Sequence, residues 1–207
     1  MGPRHPGAAL QTVVAWFGVL AALAGMEHGL GEILQGPVRP ESPFIRSWPQ
    51  HEGFEVLDGE PAVTVIPDLM VSGVATVAVA AALAAWAVLG MRRRHGALVL
   101  IGLSLLLLAV GGGFGPPLLG IILGLGASVP ATPARRPGRA TRAMAGVWPW
   151  ALGAGAAGYL GLVPGTLVLH ALWGPPPPAV VYGLMALAFG GVILALAGAR
   201  AARRLEA

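Results

Sequence analysis

Gly111-Gly112-Gly113-Phe114-Gly115-Pro116-Pro117 stands between two unbroken apolar runs, Ala97 to Val110 and Leu118 to Leu125. Glycine costs backbone entropy in a helix, and proline lacks an N–H and clashes with the preceding turn. The chain is therefore expected to break here, and how it breaks decides the topology.

Charge placement decides between the two ways of breaking. Cytoplasmic loops of membrane proteins carry an excess of arginine and lysine. If Ala97 to Ala127 crossed a bilayer once, Arg92–Arg94 and the arginines of Arg135–Arg142 would lie on opposite faces. If the chain instead turns back at Gly111–Pro117, all the basic clusters share one face: Arg4, Arg92–Arg94, Arg135–Arg142 and Arg200–Arg204. The hairpin is the expected arrangement, formed by two short helices; a re-entrant pair satisfies the same rule, provided that its tip is buried in protein or lines a cavity.

Composition supplies the class. Of 207 residues, 56% are hydrophobic and only 11% charged, and the mean hydropathy is +0.74. Soluble domains carry about 25% charged residues. Such a chain cannot cover itself with polar surface, so a lipid bilayer is its expected partner. The isoelectric point near 11.0 comes from juxtamembrane arginines without interleaved aromatics, which excludes a nucleic-acid partner. Cysteine is absent, so disulfides and thiolate metal sites are excluded.

The expected fold is an all-α integral membrane protein, a single polytopic domain of about six helices. The spans are expected at 8–35, 67–90, 97–113, 116–128, 147–172 and 178–199. The third and fourth form the hairpin broken at Gly111–Pro117. Both termini are expected on the cytoplasmic side of the plasma membrane. The first span resembles a signal peptide at Ala22-Leu23-Ala24, but its apolar core is too long for one, and it is expected to stay. Pro67 is expected to open the second span, with Asp68 beside it at the positive end of the helix dipole. An outer acidic loop, 37–61, and a basic cytoplasmic loop, 128–143, connect the spans; Phe54 to Leu57 has room for one helical turn. Small faces at Gly120 and Gly124, and at Gly155, Gly158 and Gly161, suit close helix approach. They offer a surface for a homo-oligomer or a membrane-complex partner.

Three functions follow from this layout. The leading expectation is a small permease or channel-like protein whose acidic outer loop gathers cations by field focusing. Its expected substrate pathway is Gly111, Gly112, Gly113, Gly115, Pro116 and Pro164, because interrupted helices expose backbone carbonyls to a substrate. Against transport, no ionisable residue lies in the middle of an apolar run.

The second expectation is a membrane-embedded site for a divalent transition metal, or an enzyme built on one. His28 and Glu32 are four apart on the first helix and share a side, whereas Glu27 points elsewhere. The topology brings Asp68 and His170 to the same level, with His51 and Glu60 as further donors. Imidazole with carboxylate suits zinc, iron, manganese or copper(II). The plainer alternative is that His28, Glu32 and Gln35 form the solvated last turns of a protruding helix, with His170 an interfacial helix end. The third function is a non-catalytic subunit of a larger membrane complex. No phosphate-binding loop, nucleophile arrangement or metalloprotease helix is present, so the reading leans away from an enzyme.

Overall fold

The computed structural model describes residues 7–49, 52–130 and 138–206, and the chain is mostly helical. The first helix, α1, is Ala8–Gln35. It stops at Gly36, which takes a positive φ of 81° and donates its N–H to the Ile33 carbonyl at 3.0 Å, just before Pro37.

The 37–61 segment is more ordered than a loop. β1 (Phe44–Arg46) pairs antiparallel with β2 (Pro61–Val63), in the register Phe44 to Val63, Ile45 to Ala62 and Arg46 to Pro61. A 3-10 turn, Glu52–Leu57, lies between them.

α2 is Leu69–Leu89. Pro67 does not open it; Asp68 is its cap, with Oδ1 accepting from the Val71 N–H at 2.9 Å. α3 (Gly96–Ala109) and α4 (Gly115–Ser128) form the hairpin. α3 ends sooner than the expected 113, since Gly111 and Gly113 take φ of 113° and 69°, values that glycine alone adopts readily. Pro116 and Pro117 open α4, where a missing N–H costs nothing.

α5 (Arg139–Leu160) begins well before the expected 147. The basic loop is correspondingly shorter, and Arg135 and Arg136 lie outside the described residues, as does His51. Pro164-Gly165 does not interrupt the span. It sits in a π-helical turn, Gly161–Gly165, through which α5 runs on into α6, Thr166–Trp173. α7 (Pro178–Glu206) extends beyond the expected 199. Among the described residues, four helical segments are long and apolar enough to cross a membrane: α1, α2, the α5–α6 rod and α7. α3 and α4, at 14 residues each, span about 21 Å, short of the roughly 30 Å of a hydrocarbon core.

Small residues set the packing. Along the α1–α2 seam, Gly18 meets Ala87, Gly25 meets Ala80 and Leu107, and Gly29 meets Gly73. In the α5–α7 pair, Gly155 faces Gly191, Gly158 faces Ala188 and Gly161 faces Leu184. Gly120 and Gly124 of α4 fit against Ser104 and Ile101 of α3. The glycine faces read from the sequence as a surface for partners are thus filled by neighbours within the chain. α1 runs through the centre, and its Val13, Val14 and Phe17 join Leu83, Leu107, Leu119, Leu123 and Val192 in one buried core.

The bundle has two unlike ends. At one, Gly7 N–H donates to Glu206 Oε2 at 3.0 Å, Arg92 Nε to Gln11 Oε1 at 3.1 Å, and Arg203 Nη2 to the Val129 carbonyl at 2.6 Å. At the other stand the β-hairpin, the α3–α4 tip and the end of α6, where His170 Nε2 lies 3.8 Å from Glu52 Oε2. The turn at Gly111–Gly113 returns the chain to the end that carries Arg92 and Arg203.

Candidate metal centre

The acidic end is built on the last two turns of α1. Gly31 lets the chain just beyond β1 lie directly on the helix, since a Cβ there would strike the Ser47 carbonyl and the Trp48 ring. Gln35 holds the strand down: its Nε2 donates to the carbonyls of Ser47 at 3.0 Å and Arg46 at 3.1 Å. Beyond β1, Ser47 N–H donates to the Glu60 carbonyl at 3.1 Å and Trp48 N–H to that of Gly59 at 2.9 Å. The sheet pairing thus places Ser47, Trp48 and Glu60 over α1.

His28 is buried and fixed from two sides. Its Nδ1 lies 2.9 Å from the Ser47 hydroxyl, and its Nε2 lies 3.3 Å from Glu60 Oε2. Glu60 reaches it from a strained backbone. Asp58, Gly59 and Glu60 take consecutive positive φ values of 52°, 70° and 55°. A non-glycine residue held there costs of order 1–3 kcal/mol and persists only where its surroundings demand it. The turn is braced by Arg46, whose Nη2 lies 2.9 Å from Asp58 Oδ1 and 3.0 Å from Oδ2.

Glu27 completes the group. One donor atom each from Glu27, His28 and Glu60 lies within 4.8 Å of the others, the single such cluster among the described residues. The Glu27 carboxyl sits beside that of Glu60 and the Trp48 indole. Trp48 is held by stacking on Phe54, with ring centroids 5.4 Å apart. Two neighbouring buried carboxylates repel strongly unless a proton or a cation lies between them.

The donors fit a borderline divalent metal. Ligand bonds of about 2.0–2.2 Å in a tetrahedron set donors about 3.3–3.6 Å apart, which the 3.3 Å between His28 and Glu60 already satisfies. The Ser47 hydroxyl on the other ring nitrogen is the outer partner that orients a ligating imidazole. Three protein donors leave a fourth position open. A cavity of about 220 Å³ adjoins the group, lined by Glu27, His28, Glu60 and Tyr159 and by apolar side chains of α4, the π turn and α7. Tyr159 is buried and lines the same cavity as both carboxyl groups.

The other residues expected to join His28 stand elsewhere. Glu32 is fully buried one turn along α1, packed against Gly111 so closely that a Cβ there would overlap its carboxyl. Ser72 is beside it, but that hydroxyl is engaged with Thr64 Oγ1 at 2.7 Å and the Val110 carbonyl at 2.8 Å. Asp68 caps α2, and His170 pairs with Glu52. The expected grouping of His28 with Glu32, Asp68 and His170 is therefore not the one formed.

The expected pathway residues divide in the same manner. Gly111, Gly112 and Gly113 are buried, with Gly113 against the His28 ring. The tip is closed over by β2's extension, where Thr64 bridges Val110 and Val65 N–H donates to the Ala109 carbonyl at 2.9 Å. Gly115 and Pro116 line the cavity, and Pro164 is exposed on the π turn.

Glu27, Ser47, Trp48 and Tyr159 were missed from the sequence. Glu27 and His28 diverge by about 100° on a helix, and a donor arriving between those directions reaches both. Comparison with protein-family models, with curated proteins and with solved structures finds no match to this chain.

Proposed function

We propose that this chain is an integral membrane protein, its basic end cytoplasmic, that holds one divalent transition metal at Glu27, His28 and Glu60. The observation that carries the reading is the convergence of three buried donor atoms within 4.8 Å, from residues that separate segments bring together. Burying two carboxylates without a counter-charge is costly, and a bound cation supplies that charge. The three donors line the cavity, so a metal held by them would be reachable by a ligand there and would supply Lewis-acid chemistry. Glu27, His28 and Glu60 would hold the ion, Ser47 would orient the ring, and the tip at Gly113 lies against that ring from the side.

The permease reading draws on the same end of the molecule, where Glu52, Glu55 and Asp58 line an outer cavity of about 400 Å³. It ranks second because a cation leaving His28 toward the basic end meets Phe17, Val13, Val14 and Leu83, all buried and apolar.

Metal analysis of purified protein tests the proposal. Close to one equivalent of a transition metal is expected. His28→Ala and Glu60→Gln should lose it, whereas Glu32→Gln, Asp68→Asn and His170→Ala should keep it. Metal-free protein that zinc, manganese and iron(II) fail to stabilise, or full retention by His28→Ala, rules the centre out.

A further inference from the structure

The cavity beside the three donors has a mixed lining. Glu27, His28, Glu60 and Tyr159 supply its polar groups; Phe114 from the start of α4, Leu162 from the π turn, and Met185 and Phe189 from α7 are among its apolar ones. A π turn is rare and concentrates at functional sites. Here it sets the sequence neighbours Leu162 and Val163 both on the cavity. Phe114 is 45% exposed, and Leu162, Val163, Met185 and Phe189 are half-buried, so the apolar lining from the start of α4, the π turn and α7 reaches the surface of the bundle.

We infer that this cavity receives the oxygen head and first carbons of a neutral long-chain amphiphile, an alcohol or an ester, whose tail runs out between α4 and α7 into the bilayer. The inference rests on the metal centre proposed above and names what occupies its open position. Size supports a head rather than a whole lipid, since about 220 Å³ corresponds to about seven water-sized groups. Charge selects a neutral head. The cavity lining is mainly apolar, and in a low-dielectric pocket an added anion or cation is disfavoured. A hydroxyl or carbonyl oxygen would meet a metal held by the three donors without adding charge, and the apolar side chains of the lining would take the adjoining methylenes.

Photolabelling of the protein in phosphatidylcholine nanodiscs tests this. The probe is hexadecanol with a diazirine close to its hydroxyl, compared with the matching fatty acid and alkylammonium, and metal content is measured on each preparation. The alcohol should label the segments around Phe114 and Met185 in preference to the lipid-facing Leu194, and excess unlabelled hexadecanol should suppress that labelling. Met185→Trp, or Val163→Phe should the first aggregate, should reduce it about tenfold with the metal retained. Labelling that does not saturate, or that the fatty acid matches on metal-loaded protein, overturns the inference while leaving the metal centre standing. Metal-free protein whose cavity takes the alkylammonium instead overturns both.

Discussion

Gly113→Ala probes the contact between the hairpin tip and the candidate centre. Gly113 has a φ of 69°, and a Cβ there would overlap the His28 ring. An L-residue in left-handed backbone costs about 1–2 kcal/mol, and forcing an extra carbon into a packed site about 1–3 kcal/mol. The loss should therefore be about 2–5 kcal/mol, a large part of the 5–15 kcal/mol that holds an ordinary domain folded. Gly102→Ala is the reference, because it lies within α3 with open space around its Cβ position, and should gain about 0.5–1 kcal/mol. Denaturant unfolding in mild detergent, followed by circular dichroism, measures both. The double variant Gly113→Ala with His28→Ala separates the two costs. Removing the ring relieves the overlap and leaves the backbone cost, so the pair should show a coupling of about 1–3 kcal/mol. Gly113→Ala as stable as Gly102→Ala, or a pair of variants that simply add, would refute the packing of the tip on His28.

Three further outcomes follow. Ser47→Ala removes the oxygen on His28 Nδ1 and should weaken metal affinity about 10–100-fold, read by competition with a chelator, without changing the fold. Asp68→Ala removes the cap of α2 and should cost about 1 kcal/mol in unfolding free energy, with metal content unchanged; loss of metal would return Asp68 to the site. In this cysteine-free chain, Ser42→Cys and Gly138→Cys should react with an impermeant maleimide from opposite sides of the membrane, and labelling of both from one side would break the assignment of acidic and basic ends.

Much of the architecture was legible because two local signals agree. Gly111–Pro117 cannot continue a helix, and the arginine clusters need a reversal there to share one end; the structure makes that turn. Helix ends were less legible, since apolar composition fades gradually while caps are local. Asp68 was read as a favourable charge at a helix start beginning with Pro67, yet its side chain is the cap itself. Pro164-Gly165 was read as a break because a π turn tolerates proline at a cost that sequence does not disclose. The glycine faces were correctly read as places for close approach, but sequence does not say whether the approaching helix belongs to the same chain. Gly155 meets Gly191 across a long connection, a pairing invisible to periodicity.

The site was legible only in its anchor, and the reason is geometric. Reading α1 alone favours residues on one side, so His28 and Glu32 were joined and Glu27 was set apart. That rule holds when every ligand comes from one helix. Here a third donor arrives on Glu60 from a strained turn, and one of its oxygens lies within 4.8 Å of donor atoms of both Glu27 and His28. Neighbouring residues on a helix become partners once another segment reaches into the angle between them. Glu32, freed from that role, lies where Gly111 has no side chain, so one glycine accommodates Glu32 and another, Gly113, accommodates His28. The tip that the sequence offered as an open pathway is thus the wall against which both side chains are packed. A metal at Glu27, His28 and Glu60 would be approached from the cavity side, past Phe114, rather than through the hairpin.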